Sequence, residues 1–276
     1  MVFLLLAVLS SALISIIMRL SAGKVSANLS VLATNYCICS LLGAGYAGFR
    51  LVPVQTPGFP VTLFLGLVSG ILYLAALVMF QTNTAKRGIV LSSVFMKLGL
   101  LVPIAASVLF FREAPTAAQI AGFAIAVAAI VLINWQKDGS RFGLGLIVML
   151  LLSGGADVMA KFFDVYGQEA LSSLYLFYTF GMAFLLCVIL VIRKKEHPGF
   201  REILYGILMG IPNFFSAKFL LASLGHLPAV VVYPSFSVGT LLIVTLTGVL
   251  LFRERLRKAQ WIALAAILAA LILLNI

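Results

Sequence analysis

Long apolar runs alternate along the chain with short polar breaks, and the runs have the length of bilayer-crossing helices rather than of strands or soluble core helices. A membrane-spanning helix needs about 20 mostly apolar residues. Ten such runs are present, at 2–18, 28–49, 61–81, 88–111, 117–135, 142–161, 171–192, 202–224, 228–252 and 259–275. The breaks carry turn chemistry: Pro53, Pro57, Gly58 and Pro60 after the second run, Lys137-Asp138-Gly139-Ser140-Arg141 after the fifth, and His197-Pro198-Gly199 after the seventh. The pattern predicts an all-α polytopic membrane protein with ten transmembrane helices. Pro103, Pro212 and Pro234 fall inside the fourth, eighth and ninth runs. Each frees a backbone carbonyl that a neighbouring helix, water or ligand has to satisfy in lipid.

The runs also repeat. Residues 109–134 align without gaps to 250–275 at a spacing of 141, with 11 of 26 positions identical. The identities include Phe111-Arg112-Glu113 with Phe252-Arg253-Glu254, Gln119 with Gln260, and Asn134 with Asn275. One residue of shift pairs Ser11 with Ser153 and Arg19 with Lys161. Leucine- and alanine-rich helices match readily by chance, but the shared charged triplet, glutamine and asparagine do not. The expected domains are therefore a first five-helix repeat, 1–136, and a second, 137–276. Five is odd, so the second copy enters the membrane inverted, an architecture used by many secondary transporters.

Composition narrows the class. Of 276 residues, 63% are hydrophobic and 10% charged, and mean hydropathy is +1.19, which excludes a soluble globular domain. The net charge of +11 comes mostly from loops and helix ends, where it reports membrane topology rather than nucleic-acid binding. Loops after odd-numbered helices hold 14 Lys and Arg residues, and loops after even-numbered helices hold Arg50, Arg112 and Lys161. The positive-inside rule then places both termini outside the cytoplasm of a plasma or prokaryotic inner membrane. Cys37, Cys39 and Cys187 lie in apolar runs and read as packing residues, with no disulfide framework or metal site. The start, Met1-Val2-Phe3-Leu4, lacks the basic segment of a signal peptide, so the first run is expected to be a retained helix.

Polar residues at membrane depth are the candidate binding groups. Ser11 and Ser15 lie one turn apart on the first helix, suited equally to lining a cavity and to bonding the helix's own carbonyls. Ser69 and Tyr73 form a similar pair on the third, and a tyrosine at that depth needs a partner for its hydroxyl. Ser153, Asp157 and Lys161 form a stripe on the sixth, where Asp157 has the spacing of an ordinary helix salt bridge to Lys161 or is available to an amine or a proton. The eighth helix carries Asn213 and Lys218, and the ninth Tyr233, Ser237 and Thr240. Tyr175 and Tyr178 read as interfacial belt residues, Trp135 and Trp261 as anchors, and His226 as a loop residue. Lys97, with Met96 beside it, lies near the middle of the fourth run, and an ionisable group there costs at least about 2.5 kcal/mol on insertion scales. It is either a partner of Asp157 or a substrate group. Two lysines, 97 and 218, against one aspartate favour a carboxylate or phosphate cargo.

Two halves that each end in Phe-Arg-Glu, a short linker, Gln and an alanine-rich helix resemble the EamA-type transporters of the drug/metabolite transporter superfamily. The resemblance spans the chain and is strongest over 88–134 and 228–275. It implies a ten-helix inverted-repeat carrier that exports or exchanges amino acids and other small metabolites. It also implies that the first, third and fourth helices of each half line a central cavity while the fifth helices act as scaffold. Family members are commonly drawn with cytoplasmic termini, against the charge bias of this chain. The expected function is secondary transport of a small polar metabolite by alternating access, with protons as a candidate coupling ion and no cofactor. The alternative is a multidrug or lipid-headgroup exporter of the same fold. With eight acids, two histidines, no HExxH and no GxSxG, an enzyme is not expected. The duplication supplies both halves of a site in one chain, so a monomer suffices and a dimer is not required.

Overall fold

The computed structural model describes all residues except 22–23, 49–55, 88–91, 93–94, 135–143, 251–257 and 275–276. Among the described residues there are ten helices and no strand: α1 (Val2–Ser21), α2 (Asn28–Tyr46), α3 (Phe59–Arg87), α4 (Leu101–Phe111), α5 (Ala117–Asn134), α6 (Leu144–Tyr166), α7 (Ser172–Lys194), α8 (Phe200–Leu224), α9 (Ala229–Leu250) and α10 (Lys258–Leu274). Seven of them (α1, α2, α3, α6, α7, α8 and α9) are long and apolar enough to cross a membrane.

Two helices run further than expected because their polar residues bond within the bundle. α3 continues past 81 to Arg87. There the Thr82 hydroxyl donates to the Val78 carbonyl at 2.8 Å, and the Asn83 amide donates to the carbonyls of Met79 and Gly145, both at 2.9 Å. α6 continues past 161 to Tyr166, carrying a Lys161–Asp164 ion pair at 3.0 Å. The first residues of the expected fourth helix, 88–94 apart from Ser92, lie outside the described residues. From Phe95 the chain is helical, but Leu98–Leu100 tightens into a 3-10 turn. Pro103 accounts for the tightening. It has no N–H for the Gly99 carbonyl, and its ring crowds that carbonyl.

The chain forms two compact units, each assembled from both halves of the sequence. One comprises Met1–Leu74 with Met159–Gly225, the other Ala75–Val158 with His226–Ile276. In the first unit α2 packs on α7 and α8, and α1 packs on α8. Two Gly-xxx-Gly segments bring backbones together there. A methyl group on Gly206 or Gly210 of α8 would strike Val31, Thr34, Asn35 and Ile38 of α2. One on Gly66 or Gly70 of α3 would strike Tyr175, Tyr178, Thr179 and Met182 of α7. In hydrocarbon, where helices gain nothing by hiding apolar side chains from each other, such close approach is a main source of association. Tyr175 is accordingly a core residue and not a belt residue: it is buried, and its ring stacks on Phe163 at 4.5 Å.

In the second unit α5 packs on α10, and α9 packs on α4, α5 and α10. Gly122 of α5 approaches Ala270, Leu273 and Leu274 of α10. The sharpest crossing joins α6 to the 3-10 turn before α4. There the Gly99 and Gly154 backbones meet with no room for a side chain on either. The free thiols of Cys39 and Cys187 are buried, as their apolar context predicts.

Candidate functional site

The Gly99–Gly154 crossing gathers four of the polar positions singled out in the sequence: Lys97, Ser153, Asp157 and Tyr233. Lys97 sits just before the 3-10 turn and Asp157 one helical turn after Ser153, on α6. The Ser153 hydroxyl spans the crossing, bonding the Leu150 carbonyl at 3.1 Å and reaching the Met96 carbonyl at 3.5 Å. From α9, the buried Tyr233 donates its hydroxyl to the backbone carbonyl of Asp157 at 2.6 Å. Among the described residues no ion pair within 4.0 Å joins Lys97 and Asp157. Both side chains are half-buried. Asp157 lies two residues past the middle of α6, about 3 Å along the axis by helical rise. Lys161 does not take up the i+4 pairing with Asp157 that the spacing allowed. It pairs forward with Asp164, because α6 continues far enough to present that acid. Ser237 is half-buried on α9, and Thr240 is buried there with no hydrogen-bond partner for its hydroxyl among the described residues.

The remaining candidates belong to the first unit. Ser15 bonds the Ser11 carbonyl at 3.3 Å, the local use open to it from the sequence. Tyr73 is half-buried, with its ring 6.1 Å from that of Phe180. Asn213 donates to the Asn35 side-chain oxygen at 3.2 Å, and Cys39 bonds the Gly210 carbonyl at 3.2 Å beside them. Lys218 lies over the Tyr46 ring, 3.1 Å from its centroid, with Phe214 5.9 Å away. A cation over an aromatic face is stabilised by the ring quadrupole. Lys218 is thus already partnered within its own unit.

Three carboxylates at helix starts complete the picture. α4 ends with Arg112 in the left-handed conformation (φ 54°), and the next residue, Glu113, accepts the Ala229 N–H at 2.9 Å at the start of α9. α7 ends the same way, with Lys195 at φ 52°. Glu196 then accepts the Ser30 N–H at 3.1 Å in the first turn of α2. Glu202 accepts the Ser26 N–H at 3.0 Å just before that helix. The first four N–H groups of a helix lack internal partners, so these acids satisfy donors that lipid would leave bare. The Lys195-Glu196 dipeptide after an apolar run was the available signal, parallel to Arg112-Glu113. The second triplet, Phe252-Arg253-Glu254, lies outside the described residues, as does Trp135.

The model of the EamA-like transporter family matches residues 141–276. The chain belongs to this family. As an EamA-like protein of the drug/metabolite transporter superfamily it is an integral membrane transporter, and transport rather than catalysis is the family's activity. An uncharacterized protein of Haemophilus influenzae is 25% identical over 284 residues, covering 97% of this chain and 95% of its own. A solved crystal structure superposes with a TM-score of 0.74 at 16% identity, covering 99% of this chain and 94% of its own, a likeness of fold.

Proposed function

We propose that this EamA-like transporter moves a small metabolite bearing a carboxylate, and that Lys97 and Asp157 receive it as a zwitterion: the carboxylate on Lys97, an ammonium on Asp157. The observation that carries this reading is a lysine and an aspartate on the two segments that meet at the Gly99–Gly154 crossing, with no ion pair within 4.0 Å between them among the described residues. Each charge at membrane depth costs about 2.5–3.5 kcal/mol on insertion scales. A purely structural pair would recover that by contact, as Lys161 and Asp164 do at 3.0 Å. The sequence alone favoured an anion, because it counted Lys218 with Lys97. Lys218 lies over the Tyr46 ring within its own unit, and among the described residues the crossing itself contributes one lysine and one aspartate, which favours a zwitterion over a bare anion or phosphate.

The carrier works by alternating access of two inverted repeats, 1–136 and 137–276. The glycine crossings of the first unit support this architecture. Gly206 and Gly210 lie 140 positions beyond Gly66 and Gly70, and their α2 contacts, Val31, Thr34, Asn35 and Ile38, each lie 144 before Tyr175, Tyr178, Thr179 and Met182. The third helix of each repeat therefore packs on the second helix of the other through the same four positions. A chance resemblance among apolar helices has no reason to reproduce those contacts.

Substrate screening of purified protein by thermal shift, with proteoliposome uptake, tests the reading, since a bound substrate raises apparent stability by mass action. Zwitterionic amino acids are expected to raise the midpoint more than their des-amino carboxylic acids. Lys97→Met abolishes the effect of both, and Asp157→Asn removes only the preference for the amine. Unchanged binding in folded Lys97→Met protein would overturn the assignment.

A further inference from the structure

Resting on the reading of Lys97 and Asp157 as a two-armed site, we infer that Tyr233 is a positioning residue that sets selectivity for the substrate's amino group. A phenol has one proton to donate. Here that proton is committed to the Asp157 backbone carbonyl at 2.6 Å, so Tyr233 does not also donate to a substrate. This departs from the sequence reading, in which Tyr233 was a candidate binding group. What it does instead is fix the root of the Asp157 side chain from a second helix.

The surroundings explain why such a tether has an effect. On one side of α6, Gly154 seats against Gly99, so the backbone of α6 is held against the segment that carries Lys97. The carboxylate arm leaves α6 one turn later, beyond that contact. Tyr233 supplies the missing restraint there: its ring is buried, and its hydroxyl reaches the carbonyl of the very residue that bears the arm. Pro234 follows immediately and leaves the Val230 carbonyl of α9 without its usual N–H. The crossing holds the carboxylate-binding lysine and the tyrosine holds the ammonium-binding aspartate. Their separation is therefore set by two independent contacts to α6. Charge-assisted hydrogen bonds depend steeply on such placement.

The test is Tyr233→Phe, which removes one oxygen and keeps the ring. Affinity of purified protein is measured for an amino acid that stabilises the wild type and for its des-amino analogue. The expected result is a loss of about tenfold for the amino acid, the order of one charge-assisted hydrogen bond misplaced, with the analogue within about twofold. In an Asp157→Asn background the same change is expected to alter neither ligand. Equal losses for both ligands would make Tyr233 a packing residue and overturn the inference, as would equal binding of both by Tyr233→Phe and wild type. A wild type that binds the amino acid no better than its analogue would instead remove the underlying two-armed reading, and the inference with it. Should Tyr233→Phe prove poorly folded, Gly154→Ala offers the complementary perturbation. It displaces α6 from the lysine segment and is expected to weaken both ligands, a pattern opposite to that of the tyrosine variant.

Discussion

Glu113 offers the most direct check on how the Phe-Arg-Glu element works, because its role can be read from one bond. The carboxylate accepts the Ala229 N–H at 2.9 Å, at the first residue of α9, and it comes from the residue after the Arg112 C-cap of α4. Glu113→Ala removes the acceptor and leaves a helix-start donor without its partner. Loss of a capping side chain costs about 0.5–2 kcal/mol. Glu113→Gln keeps an acceptor oxygen and removes only the charge, whose interaction with the positive end of the helix dipole is worth about 0.3–1 kcal/mol. The predicted order of stability is therefore wild type, then Gln, then Ala, read as thermal midpoints in one detergent. Arg112→Gly is the internal control. It relieves a left-handed non-glycine residue, a conformation that disfavours L side chains by roughly 1–2 kcal/mol, and is expected to hold or raise the midpoint. Substrate affinity is expected to stay within about twofold in all three, since the residue lies at a helix end and not on the charged crossing. A Glu113→Ala protein of unchanged midpoint, or a folded one with grossly reduced affinity, would refute the capping role.

Two further outcomes follow from the fold. Gly210→Leu forces a side chain into a contact where even a methyl group would lie 2.7 Å from Ile38 Cβ, and is expected to cost at least the 1–3 kcal/mol typical of roughly comparable overpacking, seen as lost expression or a lowered midpoint; the same change at the exposed neighbour Ile211 is expected to be nearly silent. For sidedness, single cysteines replace Lys195 and Gly167 in a background lacking the native three. The charge bias predicts that a membrane-impermeant thiol reagent on whole cells labels the second and spares the first, and the reverse pattern would place both termini in the cytoplasm.

Helix positions were legible because the apolar runs are long and their breaks carry proline, glycine and charge. The errors came where polar residues hid inside helices. Thr82 and Asn83 ended the third run on paper, but both side chains bond backbone carbonyls, and Asn83 ties α3 to Gly145 of α6. Lys161 has the i+4 spacing to partner Asp157, but α6 runs on past the apolar run and presents the i+3 acid Asp164 instead. Ser15 was ambiguous in principle, since the same hydroxyl serves a cavity or its own helix, and only coordinates separate the two. Tyr175 looked interfacial from its place near a helix start. Nothing in the sequence says that Phe163 covers it. The helix-start acids Glu196 and Glu202 are hard to read for a related reason: each caps a segment more than 160 residues away, and a local signal such as the Lys195-Glu196 dipeptide does not name that partner.

Under the proposed duplication, what the halves share and what they do not divides along physical lines. The Gly66/Gly70 and Gly206/Gly210 crossings use corresponding positions in both copies, as the requirement for the same interhelical distance on both sides demands. The charged residues of the crossing have no such counterparts. At the spacing of 141 the position of Lys97 is held by Val238, and at the shifted spacing that pairs Ser11 with Ser153 the position of Asp157 is held by Ser15. Duplicating the charges would place like groups in symmetric positions around one cargo, and each added ionisable group at membrane depth would cost roughly another 2.5 kcal/mol or more on insertion scales. A zwitterion has two different ends and needs one cation and one anion, not two of each. On the proposed two-armed reading, the scaffold can therefore keep its symmetry while the proposed binding groups lose theirs. The same argument explains why Tyr233 has only Ser92 at its corresponding position: a tether for the Asp157 backbone is of use only in the copy where an aspartate has to be held.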